Sequence, residues 1–158
     1  MCIRDSNDTF TFALEFRAAP SDWDGDGMPN TYEDGHPGVL SPTNAADGGA
    51  ADHDGDRVPN VGEYVARTDP DDPGSFPAAD AVASSPTGIV VRFATAADRV
   101  YRVWWTDASL TAPAWTLATT NGLPGTGGWV QWLDDGTLTA PAPALATQRT
   151  YRIEVRLP

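Results

Sequence analysis

The chain has 158 residues and a formal net charge of −12, with 22 acids against 10 bases; that length suits one ordinary domain or two small ones. An acidic chain with no basic stripe is a poor partner for nucleic acid. No apolar run approaches the ~18 residues of a membrane span, and one cysteine, Cys2, excludes an intrachain disulfide framework.

The charge is uneven in kind and in place. Of the acids 18 are Asp and 4 are Glu, while every base is Arg. Helical surfaces draw on Glu and Lys, so this composition reads as loops and strands. Residues 22–72 hold 11 Asp, 2 Glu and 2 Arg, so nearly all the excess charge is one local object. The two histidines, His36 and His53, lie inside it without cysteine partners, which argues against structural zinc.

In chain order, residues 1–6 resemble a translated sequencing adapter and are expected to be extraneous. No apolar signal-peptide core follows them. Residues 9–17 alternate Phe10, Phe12, Leu14 and Phe16 with Thr11, Ala13, Glu15 and Arg17, a half-buried strand by period two. A lone strand cannot bury its face. Residues 7–20 are therefore expected to be the last strand of a truncated upstream β-domain.

Next comes an internal repeat with a spacing of 30 residues. The first copy is Asp22-Trp-Asp24-Gly-Asp26-Gly-Met28-Pro-Asn30-Thr-Tyr-Glu33, and the second is Asp52-His-Asp54-Gly-Asp56-Arg-Val58-Pro-Asn60-Val-Gly-Glu63. In each, acids fall at loop positions 1, 3, 5 and 12, with Asn at 9, the ligand spacing of a twelve-residue calcium loop. Calcium is a hard cation that takes six to eight oxygens. Short Asp side chains at alternating positions aim at one centre. The position-7 carbonyl (Met28 or Val58) adds a backbone oxygen, Asn30 or Asn60 acts through water, and Glu33 or Glu63 reaches back with both oxygens. A solvated acidic linker would scatter its charge instead of repeating it in register. Two Ca2+ sites are expected. The second is expected to be weaker, because Arg57 stands where the first has Gly27 at a position that usually needs positive φ.

These loops resemble thrombospondin type 3-like calcium repeats of secreted bacterial proteins. The flanks carry the resemblance further, through Gly38-Val-Leu-Ser-Pro42-Thr-Asn-Ala-Ala-Asp47 and Tyr64-Val-Ala-Arg-Thr68-Asp-Pro70-Asp-Asp-Pro73. Ser41 and Arg67 depart from the usual Asp and Gly. The resemblance covers about residues 21–75 and implies a secreted or cell-surface setting. A full EF-hand pair is disfavoured, since position 8 is Pro29 or Pro59, which lacks the N–H that pairs two loops. Two short helices are expected, near 29–34 and 59–67, with proline at the first helical position. A dockerin would need longer amphipathic helices.

Residues 74–87 read as a linker. Beyond it, strands are expected at 88–94, 99–106, 114–119, 129–134 and 150–157, with inward faces Ile89, Val91, Phe93; Tyr101, Val103, Trp105; and Tyr151, Ile153, Val155, Leu157. The expected fold is thus mainly β: a calcium-loop module with two short helices at 21–73, then a small antiparallel sandwich-like domain of about five strands at 88–158. This half weakly resembles small β-domains that close secreted bacterial surface proteins, through Tyr101-Arg-Val-Trp104, Trp115 and Tyr151-Arg-Ile153. The chain is expected to end at its natural terminus. Trp104 and Trp105 point to opposite faces, and packing under Arg stems is weighed there against a sugar platform. Asp134-Asp135-Gly136 reads as a turn, no nucleophile elbow exists, and no enzymatic role is expected. Beyond calcium, the partners expected are an upstream domain of the same chain and, as an alternative, a glycan or surface protein.

Overall fold

The computed structural model describes residues 20–158 except Pro86, Leu110, Ala144, Leu145 and Thr147. The adapter-like start and the strand read at 9–17 lie outside the described residues. The chain is mainly β, with two antiparallel sheets and two short helices among the described residues. In order these are α1 (Asn30–Glu33), α2 (Asn60–Ala66), β1 (Ala79–Ser85), β2 (Gly88–Ala94), β3 (Val100–Thr106), β4 (Thr116–Leu117), β5 (Leu123–Pro124), β6 (Trp129–Asp134) and β7 (Thr150–Arg156).

One sheet has the order β1-β2-β6. In the other, β7 pairs along the whole of β3, from Val100–Arg156 to Thr106–Thr150, while β4 and β5 take the two ends of its other edge. The sheets share one core. Val91 and Phe93 from β2 and Trp132 from β6 meet Tyr101 and Val103 from β3, with Ala118. Period-two alternation in β2 and β3 places these side chains inward. Each fully buried Val or Phe contributes roughly 1.5–3 kcal/mol relative to exposure. The Phe93 and Tyr101 rings lie 5.7 Å apart and the Trp132 and Tyr151 rings 5.9 Å apart.

Three sequence expectations need correction. The segment read as a linker contains β1, which pairs antiparallel with β2, with a register shift between Ala79 and Ala81. Its residues are mostly alanine and serine with a single Val82, so no alternation of large apolar groups announces it; main-chain pairing to β2 makes the strand. The strand read at 114–119 shrinks to two residues, β4, and a further two-residue strand, β5, lies between it and β6 where none was expected. Leu157, placed inward, lies past the end of β7 and is 43% exposed.

A polar cluster fastens the β6–β7 connection. Arg149 grips Asp107 with both arms (Nε to Oδ1 2.7 Å, the far guanidinium nitrogen to Oδ2 2.8 Å) and reaches Asp134 Oδ2 at 3.0 Å. The hydroxyl of Tyr151 donates to the same Asp134 oxygen at 2.6 Å, and Thr139 Oγ1 donates to Asp134 Oδ1. Asp134 is thus buried and saturated, which explains its place beside a turn. The Arg149 guanidinium also covers Trp105, 4.3 Å from its centroid. On the other face Trp104 donates to Glu154 at 2.7 Å, and Arg152 lies over both Trp104 and Trp115. Arginine stems therefore pack on these rings.

The acidic segment is joined to this β-rich part through α2. Arg99, one residue before β3, donates to the carbonyls of Val65 (2.6 Å) and Tyr64 (2.9 Å). Those carbonyls lie in the last turn of α2, where a cation is favoured. Arg67 pairs with Asp98 at 3.1 Å and closes the helix in the left-handed region (φ 64°, ψ 41°), a conformation glycine adopts with less strain.

Candidate metal centres

The two repeats fold into the same loop, held by the same hydrogen bonds. Asp22 accepts from the N–H groups of Gly25 (2.7 Å) and Gly27 (3.2 Å); Asp52 accepts from those of Gly55 (2.8 Å) and Arg57 (3.0 Å). One oxygen of Asp24 accepts from Asp26 N–H, and one of Asp26 from Met28 N–H. Asp54 and Asp56 repeat this with Asp56 and Val58. Short side chains thus turn the loop by satisfying its backbone.

These bonds use one oxygen of each middle carboxylate and leave the other. Asp24 Oδ2, Asp26 Oδ2, Asp54 Oδ2 and Asp56 Oδ2 are all buried without a hydrogen-bond partner. Glu33 and Glu63, in the helices after the loops, are fully buried. Both oxygens of Glu33 and Oε2 of Glu63 are also unpartnered, while Thr68 donates to Glu63 Oε1 at 3.3 Å. Carboxylate oxygens of Asp22, Asp24 and Asp26 lie within 4.8 Å of one another, and so do those of Asp52, Asp54 and Asp56. Asp26, Glu33 and a residue outside either loop, Asp47, form a further group at that separation.

Unit charges this close repel by roughly 1 kcal/mol per pair in water and ~4 kcal/mol near a protein surface. The electrostatics of the fold register that cost. Burial, then Asp26, Asp24, Asp47 and Asp22, pushes the Glu33 carboxyl up to about 7. Burial, then Asp54 and Asp56, pushes Glu63 up to about 7 against the Thr68 hydrogen bond. Asp26 is also raised, by burial first. Buried, unpaired, like-charged oxygens fit a hard divalent cation, and the absence of nitrogen or sulfur donors suits an oxygen-seeking metal.

The other expected site residues divide. Met28 is fully buried, and Val58 is partly exposed; each lies where a position-7 carbonyl is required. Asn30 and Asn60 are buried, but their Oδ1 atoms accept the N–H of Trp23 (2.9 Å) and His53 (3.1 Å). Their own N–H groups donate to Ser21 and Ala51. The asparagines therefore fasten the two ends of each loop, a role that spacing alone did not disclose. Pro29 and Pro59 stand one residue before their helices with extended backbones (ψ 141° and 148°), in place of the first helical position expected.

The departure at position 6 has the expected geometry. Gly27 has φ 99° and Arg57 has φ 81°, so the arginine carries a left-handed backbone. That costs a non-glycine residue about 1–2 kcal/mol. Where metal binding and loop folding are coupled, Arg57→Gly is expected to tighten the second site by about 5- to 30-fold. Calorimetry of the two proteins checks this, and an unchanged second constant would contradict it.

The copies pack on each other. The Tyr32 and Tyr64 rings lie 5.0 Å apart, His36 lies 3.8 Å from Asp69, and a Cβ on Gly27 would lie 3.3 Å from the Val61 side chain of α2. Comparison with known proteins found no matching family model, no matching curated protein and no matching solved structure.

Proposed function

We propose that the two loops each bind one calcium ion, and that binding stiffens residues 21–73 into a spacer leading to a sandwich-like β-domain of a secreted or cell-surface protein. One observation carries this reading. Two loops that share their carboxylates but differ at most other positions adopt the same hydrogen-bond set, each bringing its three aspartates together and leaving oxygens of the second and third aspartates and of the glutamate buried and unpaired. The thrombospondin type 3-like resemblance of residues 21–75 agrees with it.

Asp22, Asp24, Asp26 and Glu33, with the Met28 carbonyl, would hold the first ion. Asp52, Asp54, Asp56 and Glu63, with the Val58 carbonyl, would hold the second. A bound ion supplies positive charge that offsets the repulsion among these carboxylates. Asn30 and Asn60 keep the loop ends closed, and Gly25, Gly27 and Gly55 allow the positive φ angles of the turn. Extracellular modules commonly bind in the range of roughly 10⁻⁴–10⁻³ M. At about millimolar calcium, binding then contributes on the order of 1 kcal/mol of folding stability per site. Through Arg99 on the last carbonyls of α2, ordering of the second loop is passed to β3. We read the role as structural and non-enzymatic. Asp134, the carboxylate nearest to resembling an acid–base group, is committed to Arg149, Tyr151 and Thr139.

Limited proteolysis tests the spacer. Cleavage within residues 21–73 is expected in chelator and suppressed by millimolar calcium. Cleavage there at the same rate in both conditions would overturn the reading.

A further inference from the structure

We propose that Asp47, in the connector between the loops, is a fifth carboxylate ligand of the first metal site and ties that site to the second loop. The inference rests on the calcium reading above and extends it to a residue outside both twelve-residue motifs.

Four observations converge. An Asp47 carboxylate oxygen lies within 4.8 Å of ligand oxygens of both Asp26 and Glu33. Asp47 Oδ1 is buried without a partner, while Oδ2 is oriented by Asn44 Nδ2 at 3.0 Å. The group it joins contains Glu33, which is fully buried with both oxygens unpartnered. The connector is also built against the site: a Cβ on Gly48 would overlap the Asp26 carboxylate, so the backbone can pass there only as glycine.

Among the described residues no carboxylate joins Asp52, Asp54 and Asp56 or Glu63 in the way Asp47 joins the first site. Thirty positions on from Asp47 stands Pro77, and at Glu63 a hydroxyl, that of Thr68, makes the nearby polar contact instead. The sites therefore differ by one carboxylate, and affinity in calcium loops follows ligand charge count. The tie to the second loop runs through the main chain. The Asp47 carbonyl accepts from Asn60 Nδ2 at 2.6 Å, and Asn60 Oδ1 holds His53 N–H in loop two. Folding of loop two thereby places the Asp47 backbone that carries a ligand of site one.

The test is calcium calorimetry on the full chain and on Asp47→Asn, which keeps both the side-chain shape and the main-chain bond to Asn60. The tighter of two constants is expected to weaken by about 10- to 100-fold, the weaker one to change by less than about 3-fold. Asp34→Asn, an exposed charge on the same segment, is expected to leave both within about 2-fold. Amide exchange of the calcium-loaded variant separates a lost ligand from a lost fold, and protection of α2 is expected to persist. Two unchanged constants in Asp47→Asn would overturn the Asp47 assignment while leaving the loop reading intact, as would loss of protection in both loops together. A parent protein that takes up no calcium at all would instead remove the loop reading.

Discussion

Glu33→Gln is expected to change stability in opposite directions with and without calcium. In the calcium-free protein Glu33 is a buried carboxyl surrounded by Asp26, Asp24, Asp47 and Asp22, with neither oxygen hydrogen-bonded. Glutamine removes that charge at nearly constant volume, so the melting temperature should rise by roughly several degrees. With calcium saturating, the same change would delete the proposed position-12 ligand, and affinity at the first site should fall on the order of 100-fold. The pH dependence follows from the same groups. The folded carboxyls of Glu33 and Glu63 sit near 7, above their ordinary value of 4.5. The fold therefore binds protons that the unfolded chain has released. Their contribution to calcium-free stability is full below the ordinary glutamate range and is lost as pH rises through about 7. Thermal melts of the calcium-free parent should fall between about pH 5 and about pH 8, and those of the Glu33→Gln, Glu63→Gln double variant should be flatter. A variant destabilised equally with and without calcium would mean that these glutamates are ordinary structural residues.

Arg149→Ala is expected to destabilise the β-rich part by about 3–5 kcal/mol. The Arg149 side chain is 1% exposed and so is that of Asp134. Removing the guanidinium leaves Asp134 buried beside only Tyr151, Thr139 and Gly136, and releases Asp107 and the face of Trp105. Arg149→Lys keeps the charge but not the fork that grips Asp107 twice, so it should recover only part of the loss. Asp107 is held below the usual carboxylate range, by the Arg149 hydrogen bonds first. Its share of the stability is accordingly present above that range and lost as pH falls through the depressed value. Urea unfolding followed by Trp fluorescence measures all three proteins. An Arg149→Ala variant within about 1 kcal/mol of the parent would contradict the assignment of this cluster as the fastening of the β6–β7 connection.

The loops were legible in the sequence because their determinants are local. Carboxylates at alternate positions, a glycine at the turn and a glutamate in the next helical turn all fall within twelve residues, and the thirty-residue repeat states them twice. The long strands were legible for a similar reason, since Val91 and Phe93 lie either side of Arg92, and Tyr101 and Val103 either side of Arg102. What escaped depended on chain path. Asp47 lies near Asp26 and Glu33 because the connector folds back; the flank that contains it entered the calcium-repeat resemblance, but its place beside Glu33 falls outside the twelve-residue spacing. Strand β1 has a single Val82 and no alternation of large apolar residues to signal a face, and it exists through pairing with β2. Asn30 and Asn60 were expected to act on the metal through water, but their Oδ1 atoms bind the loop backbone, a use invisible without the positions of the Trp23 and His53 N–H groups. Arg149 and Asp134 are fifteen residues apart across a segment without periodic pattern, so no short window joins them.

Isothermal titration of the metal-stripped chain with calcium reads the two loops directly. Two binding events per chain are expected, both lost in the Glu33→Gln, Glu63→Gln double variant, with magnesium failing to substitute at equal concentration. A parent chain that releases or absorbs no heat and takes up no calcium at millimolar concentration would contradict the calcium reading.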